Sequence, residues 1–168
     1  MGVLIDNPFK FFKKTDTGVV KSFLYLFIFS SIFVLLNEAS VRAGFTKYVP
    51  TTGIAESAAF GIAFIIIGAA VLSAVLKMML KKEFSKAFSI ISYSSTPLML
   101  IGWIPFAAVS AVAIIWSFLF VGVGIHVKGG VPYRKSFKHA GVILIIGAVI
   151  LAMSQFMPMS AGKIPIVS

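Results

Sequence analysis

Five long apolar segments, separated by short polar or basic stretches, dominate the hydropathy pattern of this chain. Such segments can cross a bilayer as helices, because a helix rises about 1.5 Å per residue and the hydrocarbon core is about 30 Å thick. The pattern predicts an all-α integral membrane bundle of five transmembrane helices within residues 22–168. The predicted spans are residues 22–37, 54–76, 87–104, 106–125 and 140–157.

Residues 1–21 form a basic and aromatic leader in front of the first span. Asn7 followed by Pro8 indicates a helix start. Asn is a good N-cap, and the first helical residue has no use for an N–H group, so proline fits there. Phenylalanines and lysines are interspersed after Pro8. This composition is typical of a short helix in the membrane interface, with aromatic rings at the acyl boundary and lysines among headgroups. A disordered basic leader is the alternative.

The third predicted span differs from the others because it carries hydroxyl groups along one helix face. Pro97 removes the N–H donor that the Tyr93 carbonyl would use, so we expect a kink there. In a membrane such a break is tolerated where a neighbouring group satisfies the carbonyl, which places this helix inside the bundle. The candidate polar and kink site consists of Ser89, Ser92, Tyr93, Thr96 and Pro97. The sequence leaves three uses open: helix packing, a polar cavity for headgroups or a small solute, and a partner-binding face.

Composition agrees with a membrane protein. The 168 residues are 59% hydrophobic and 12% charged, whereas soluble domains are about 45–50% apolar and about 25% charged. The absence of cysteine excludes disulfides, thiolate metal sites and a cysteine nucleophile. A net charge of +10 would suggest nucleic acid as the partner of a soluble protein. Here the bilayer explains the charge, and no nucleic-acid partner is expected.

The basic residues are distributed unequally between the two sides of the predicted membrane. Twelve of the 15 Lys and Arg residues fall in the leader and in the two loops on the same side, and three fall on the other side. Cytoplasmic segments of membrane proteins are enriched in Lys and Arg. The chain is therefore predicted to lie in the cell membrane, with its N-terminus in the cytoplasm and its C-terminus outside.

Two groups of charged residues are candidates for binding or coupling. The loop before the last span contains four cations that could hold phosphate or anionic headgroups. The candidate headgroup-binding residues are Lys128, Arg134, Lys135 and Lys138. Glu56 enters the second span from the outer side, so it is the candidate outer-side carboxylate for proton coupling. An ordinary interfacial ion pair is the alternative for Glu56.

No catalytic motif accompanies these residues, and two histidines without nearby acids do not make a metal site. We therefore expect a non-enzymatic protein without a cofactor. The leading hypothesis is a membrane protein that binds lipids or protein partners, in the membrane or in the cytoplasm. The alternative is a small channel or transporter that uses the polar third span. Small residues recur every seven positions in other spans, which leaves helix packing within one chain and homo-oligomer formation open.

Several short motifs resemble the Yip-type domain, the family of Ypt/Rab-interacting membrane proteins. They lie in residues 84–88, 93–97, 116–124 and 133–140, and the Asn-Pro-Phe at residues 7–9 is similar to leaders of prokaryotic members. The resemblance implies five transmembrane helices, a cytoplasmic N-terminus and a role in organising membranes or binding partners. In eukaryotic members this role concerns vesicle traffic and small GTPases. The chain resembles a short, prokaryotic-like member, and the family implies no catalytic residues.

Overall fold

The helices of the computed structural model follow the hydropathy pattern closely. The structure describes residues 7–15, 18–45 and 53–154, and within these residues the regular structure is helical. The all-α membrane bundle is confirmed. Its α-helices are α1 Pro8–Lys14, α2 Val19–Ser40, α3 Ile54–Leu80, α4 Phe84–Ser94, α5 Thr96–Ile101, α6 Ala107–Gly129 and α7 Tyr133–Ser154. A π-helical turn, Val41–Phe45, continues α2.

Four of these helices, α2, α3, α6 and α7, are long and apolar enough to cross a membrane. The third predicted span is instead divided into α4 and α5, which meet at Ser95. Pro97 causes this division, because it occupies the first turn of α5 and cannot donate to a carbonyl of α4. Within its described residues the chain thus has four continuous helices that could cross a membrane and one helical segment that is broken.

Helix α4 lies at the centre of the bundle. It packs against α2, α3 and α6, and all residues from 87 to 94 are buried. The outward faces of the long helices carry exposed apolar side chains, as expected of a surface that meets lipid tails. Examples are Phe60 and Ile67 on α3 and Ile145 on α7.

The two ends of the bundle differ in charge. We call the end with α1, the α3–α4 turn and the α6–α7 turn the basic end. Helix α3 ends there at Lys81, whose φ of 50° is left-handed, and α6 ends at Gly130, whose φ is 68°. Glycine adopts a left-handed cap without strain, whereas a residue with a side chain does not, so the backbone at Lys81 is more strained than at Gly130. The opposite end contains the α5–α6 turn and the π-helical turn.

Candidate functional site

The break between α4 and α5 is closed by hydrogen bonds from side chains. The Thr96 hydroxyl donates to the Tyr93 carbonyl at 2.7 Å, which is the carbonyl that Pro97 leaves without a helical donor. The hydroxyl has one hydrogen, so in its 2.7 Å contact with the Tyr25 hydroxyl it must accept. Tyr25 on α2 therefore donates to Thr96, and the break is bonded to a neighbouring helix.

A second helix also supports the break. The backbone N–H of Leu98, in the first turn of α5, donates to the Ser117 hydroxyl of α6 at 3.2 Å. On the other side of the break, the Ser95 hydroxyl donates to the Ser92 carbonyl at 2.8 Å. The first-turn donors of a helix have no intrahelical partner, so α6 supplies one here. In the sequence, Ser117 is one of the small residues that recur every seven positions in the fourth predicted span, a pattern that indicates packing and not a hydrogen bond.

Aromatic rings surround Tyr93 on the side facing the basic end. The ring centroids of Tyr25 and Tyr93 are 4.5 Å apart, and Phe11 of α1 meets the Tyr93 ring edge to face at 5.8 Å. Phe120 of α6 contacts the rings of both Phe11 and Phe12. The kink site is therefore packed under aromatic side chains from α1, α2 and α6.

Helix α1 is docked on the bundle: Phe11 and Phe12 pack against protein side chains, whereas Phe9 is exposed. Phe12 is only 1% exposed, and its ring lies so close to Gly124 that a β-carbon there would be only 3.0 Å from it, a tighter contact than side chains usually make. The Asn7 side chain accepts from the Lys10 N–H at 3.0 Å and caps the helix as predicted. Packing against protein satisfies the aromatic face of α1 as well as lipid would.

Lys128 points inward and does not join the other predicted headgroup-binding residues. Its ammonium donates to the Thr15 carbonyl at the end of α1, at 3.0 Å, and to the Ser89 hydroxyl at 3.3 Å. It also lies 5.4 Å from the centre of the Tyr93 ring, in cation–π contact. Lys128 thus ties α1 and α4 to α6. A headgroup role for this residue does not fit these contacts.

The other three predicted headgroup-binding residues, Arg134, Lys135 and Lys138, are exposed on the first two turns of α7. Other cations at the basic end are exposed as well. They are Lys10, Lys13, Lys14, Lys77, Lys81 and Lys82. Among the described residues of this end, Glu83 is the one acid. The basic end therefore presents a broad positive surface beside the enclosed kink site.

The hydroxyl stripe is enclosed by protein. Ser89 and Ser92 are fully buried, and Tyr93, Thr96 and Pro97 are buried as well. The Ser92 hydroxyl has no hydrogen-bond partner in the described structure. A groove of about 460 Å³ lies elsewhere, at the opposite end, and has a largely apolar lining that includes Trp103 and Ser40.

The buried carboxylate at the opposite end is Glu38, whereas Glu56 is exposed on the first turn of α3. Glu38 accepts hydrogen bonds from Nε and a terminal nitrogen of Arg42 at 2.8 and 2.7 Å. Its other oxygen accepts from the Ser57 hydroxyl at 3.0 Å, which bonds α2 to α3. The four-residue spacing of Glu38 and Arg42 on one helix was the sequence signal for this pair.

The described residues contain no group of three metal-ligating side chains. In comparison with known protein families, residues 1–154 fit the family model of the Yip1 domain. No curated protein and no solved structure matches the chain. The match covers all five predicted spans except the end of the last one, and it includes the broken helix and both basic loops. The chain therefore belongs to the Yip1 domain family of membrane proteins.

Proposed function

We propose that this protein is a non-enzymatic, multi-pass membrane protein that binds anionic lipid headgroups with its basic end, which faces the cytoplasm. The Yip1 family is a membrane-trafficking family and is not known for enzymes. The observation that supports lipid binding most directly is the exposed cationic surface of Arg134, Lys135 and Lys138. Anionic lipids of the cytoplasmic leaflet attract such residues next to a span.

These three cations lie at the N-terminal end of α7, where positive charge destabilises the helix, so they are not there to stabilise it. The N-terminus of a helix carries partial positive charge, so carboxylates stabilise the first turn and cations destabilise it. Helix α7 has no acid in its first turn and three cations in its first six residues. An anion bound from outside would reverse this repulsion, because the helix end and the side chains would attract it together.

Lipid selectivity in reconstituted protein tests the proposal. The protein is placed in bilayers of equal phosphatidylcholine and phosphatidylglycerol, extracted under mild conditions, and its retained lipids are counted by native mass spectrometry. Each cation near an anionic surface contributes about 1 kcal/mol, which is a factor of about five. We expect the triple variant Arg134→Gln, Lys135→Gln and Lys138→Gln to lower phosphatidylglycerol enrichment at least tenfold.

A charge-preserving triple variant is the matched control. Arg134→Lys, Lys135→Arg and Lys138→Arg keep the three charges and change their shape, so enrichment should stay within a factor of two of the parent. Raising the salt from 0.05 to 0.5 M should weaken enrichment, because the Debye length falls from about 14 Å to about 4 Å. Equal lipid content in the parent and the glutamine variant would refute headgroup binding by this surface.

The channel alternative has less support. The polar third span would have to line a water path, yet Ser89, Ser92 and Thr96 are at most 1% exposed and are covered by neighbouring helices. These contacts favour a packing role for the stripe. The Glu56 carboxylate likewise has no buried surroundings that would suit proton coupling.

A further inference from the structure

Helix α1 presents two faces of different chemistry. Its phenylalanines lie on the arc that meets the bundle, and Lys10, Lys13 and Lys14 lie exposed on the opposite arc. Such a helix can bind a bilayer surface through the same aromatic face, with its lysines among anionic headgroups. The aromatic face cannot be in the bundle and in the bilayer at the same time, so the two positions compete.

The binding place of α1 on the bundle is a socket lined by α4 and α6. Phe12 packs in one cluster with Tyr93, Phe120 and Val123. A β-carbon on Gly124 would be 3.0 Å from the Phe12 ring and from Ile90, so glycine is what admits the ring at this depth. The socket thus depends on one fully buried ring and one residue without a side chain.

Among the described residues, the Lys128 ammonium holds the end of α1. Helix α1 ends at Thr15, and the ammonium of Lys128 donates to the Thr15 carbonyl while it also bonds to Ser89. The outward side of α1 carries only exposed residues and makes no described contact with the rest of the bundle. Helix α1 has seven residues, and its described contacts with the bundle come from Phe9, Phe11 and Phe12 and from the Lys128 ammonium. An attachment of this size is one that a competing surface can displace.

We propose that α1 is a lid with two alternative binding places, the aromatic socket of the bundle and the surface of an anionic bilayer. Anionic lipid draws α1 out through its three lysines and uncovers the socket and the Lys128 ammonium at the basic end. The socket-bound form is the closed state, which the structure describes. This proposal rests on the proposed function only in requiring that the basic end lies against an anionic leaflet.

The chain has no cysteine, so a maleimide labels a variant only at the one cysteine that is introduced. Val123→Cys is conservative in size, and Val123 is 5% exposed within the socket cluster. The variant is reconstituted in nanodiscs of phosphatidylcholine alone or with half phosphatidylglycerol, and the rate of reaction with a membrane-impermeant maleimide is measured. We expect a rate at least five times higher in the anionic discs. Equal rates in the two lipids would overturn the proposal.

Further variants in the Val123→Cys background separate the two binding places. Gly124→Ala should speed labelling in both lipids, because the new methyl group would lie 3.0 Å from the Phe12 ring and from Ile90, so the ring has to shift. Gly68→Ala is its matched control and should change nothing, since a β-carbon there meets no atom within 4 Å. Changing Lys10, Lys13 and Lys14 to glutamine should keep labelling slow in both lipids. An unchanged rate in Gly124→Ala, or a lipid response that survives the lysine changes, would contradict the lid.

A thiol at Ser73 shows whether the bundle stays folded. Ser73 is fully buried on α3, and α3 does not pack against α1, so Ser73→Cys should stay unreactive in both lipids. The lid and the proposed function can fail separately. If the glutamine variant of Arg134, Lys135 and Lys138 retains as much phosphatidylglycerol as the parent, the proposed function fails. The lid is still supported if the labelling rate of Val123→Cys depends on the lipid. If the labelling rate of Val123→Cys is the same in both lipids, the lid fails, but headgroup binding by the three cations of α7 is unaffected.

Discussion

Thr96→Val is the substitution that isolates hydrogen bonding at the helix break. Valine has nearly the shape of threonine but no hydroxyl, so the change deletes the bond from Tyr25 and the bond to the Tyr93 carbonyl. The bond to Tyr93 spans three residues and also forms when the α4–α5 segment is separated from the other helices. Only the Tyr25 bond is lost on separation, so this bond sets the change in bundle stability.

Hydrogen bonds between membrane helices contribute about 0.6 kcal/mol on average and up to about 1.7 kcal/mol. The Tyr25–Thr96 bond is short, 2.7 Å, and Thr96 is 1% exposed, so water does not compete for it. Thr96→Val should therefore lower the free energy of unfolding by about 1–2 kcal/mol, because the Tyr25 hydroxyl is left without an acceptor. Tyr25→Phe should cost less, about 0.5–1 kcal/mol, because it leaves only a lone pair unused.

Equilibrium unfolding in mixed micelles, followed by tryptophan fluorescence, measures these changes. The double variant should cost less than Thr96→Val alone, because no hydroxyl is left without an acceptor, which gives a coupling energy above about 0.5 kcal/mol. Ser31→Ala is the control, because the Ser31 hydroxyl donates at 2.7 Å to the Phe27 carbonyl within its own helix. This variant should change the free energy of unfolding by less than about 0.5 kcal/mol. Additive costs in the double variant would refute the interhelical bond as the stabilising element.

Two further predictions concern the ends of the bundle. Glu38→Gln should lower the free energy of unfolding by about 1 kcal/mol in the same assay, since it weakens the hydrogen bonds of a buried carboxylate to Arg42, whose side chain is 35% exposed. Glu56→Gln, at an exposed position, should change it by less than about 0.5 kcal/mol, and equal effects would contradict the assignment. Lys81→Gly should raise the free energy of unfolding by about 0.5–1 kcal/mol, because glycine adopts the left-handed cap of α3 without strain. Lys82→Gly, at a neighbouring position without a positive φ, should not raise it.

Local chemistry made the helix break predictable from the sequence. Pro97 lacks an N–H group wherever it is placed, so the unpaired carbonyl of Tyr93 and the need for a nearby donor follow from the order of residues alone. The sequence also supplied that donor, since Thr96 is in the hydroxyl stripe. It could not supply Tyr25, which is 71 positions away in the chain and meets the break only after the helices pack.

The orientation of individual side chains was not predictable in the same way. Lys128 and Lys135 are both cations in one loop region by sequence, yet one bonds Thr15 and Ser89 inside the bundle and the other is exposed. The phenylalanines of α1 posed the same problem, because lipid and protein interiors are equally apolar environments for a ring. In each case the deciding partner lies on another helix.

The hydrogen bonds of Ser89 and Thr96 explain why the groups that approach these two hydroxyls are donors. The Ser89 hydroxyl donates to the Lys86 carbonyl at 3.1 Å, and the Thr96 hydroxyl donates to Tyr93. Each hydroxyl has one hydrogen, so both present only lone pairs to neighbouring helices. The groups that approach them are donors, the Lys128 ammonium and the Tyr25 hydroxyl. The phosphodiester of a lipid headgroup has no hydrogen to offer these two hydroxyls, so it gains nothing from Ser89 or Thr96 and should bind the exposed cations instead.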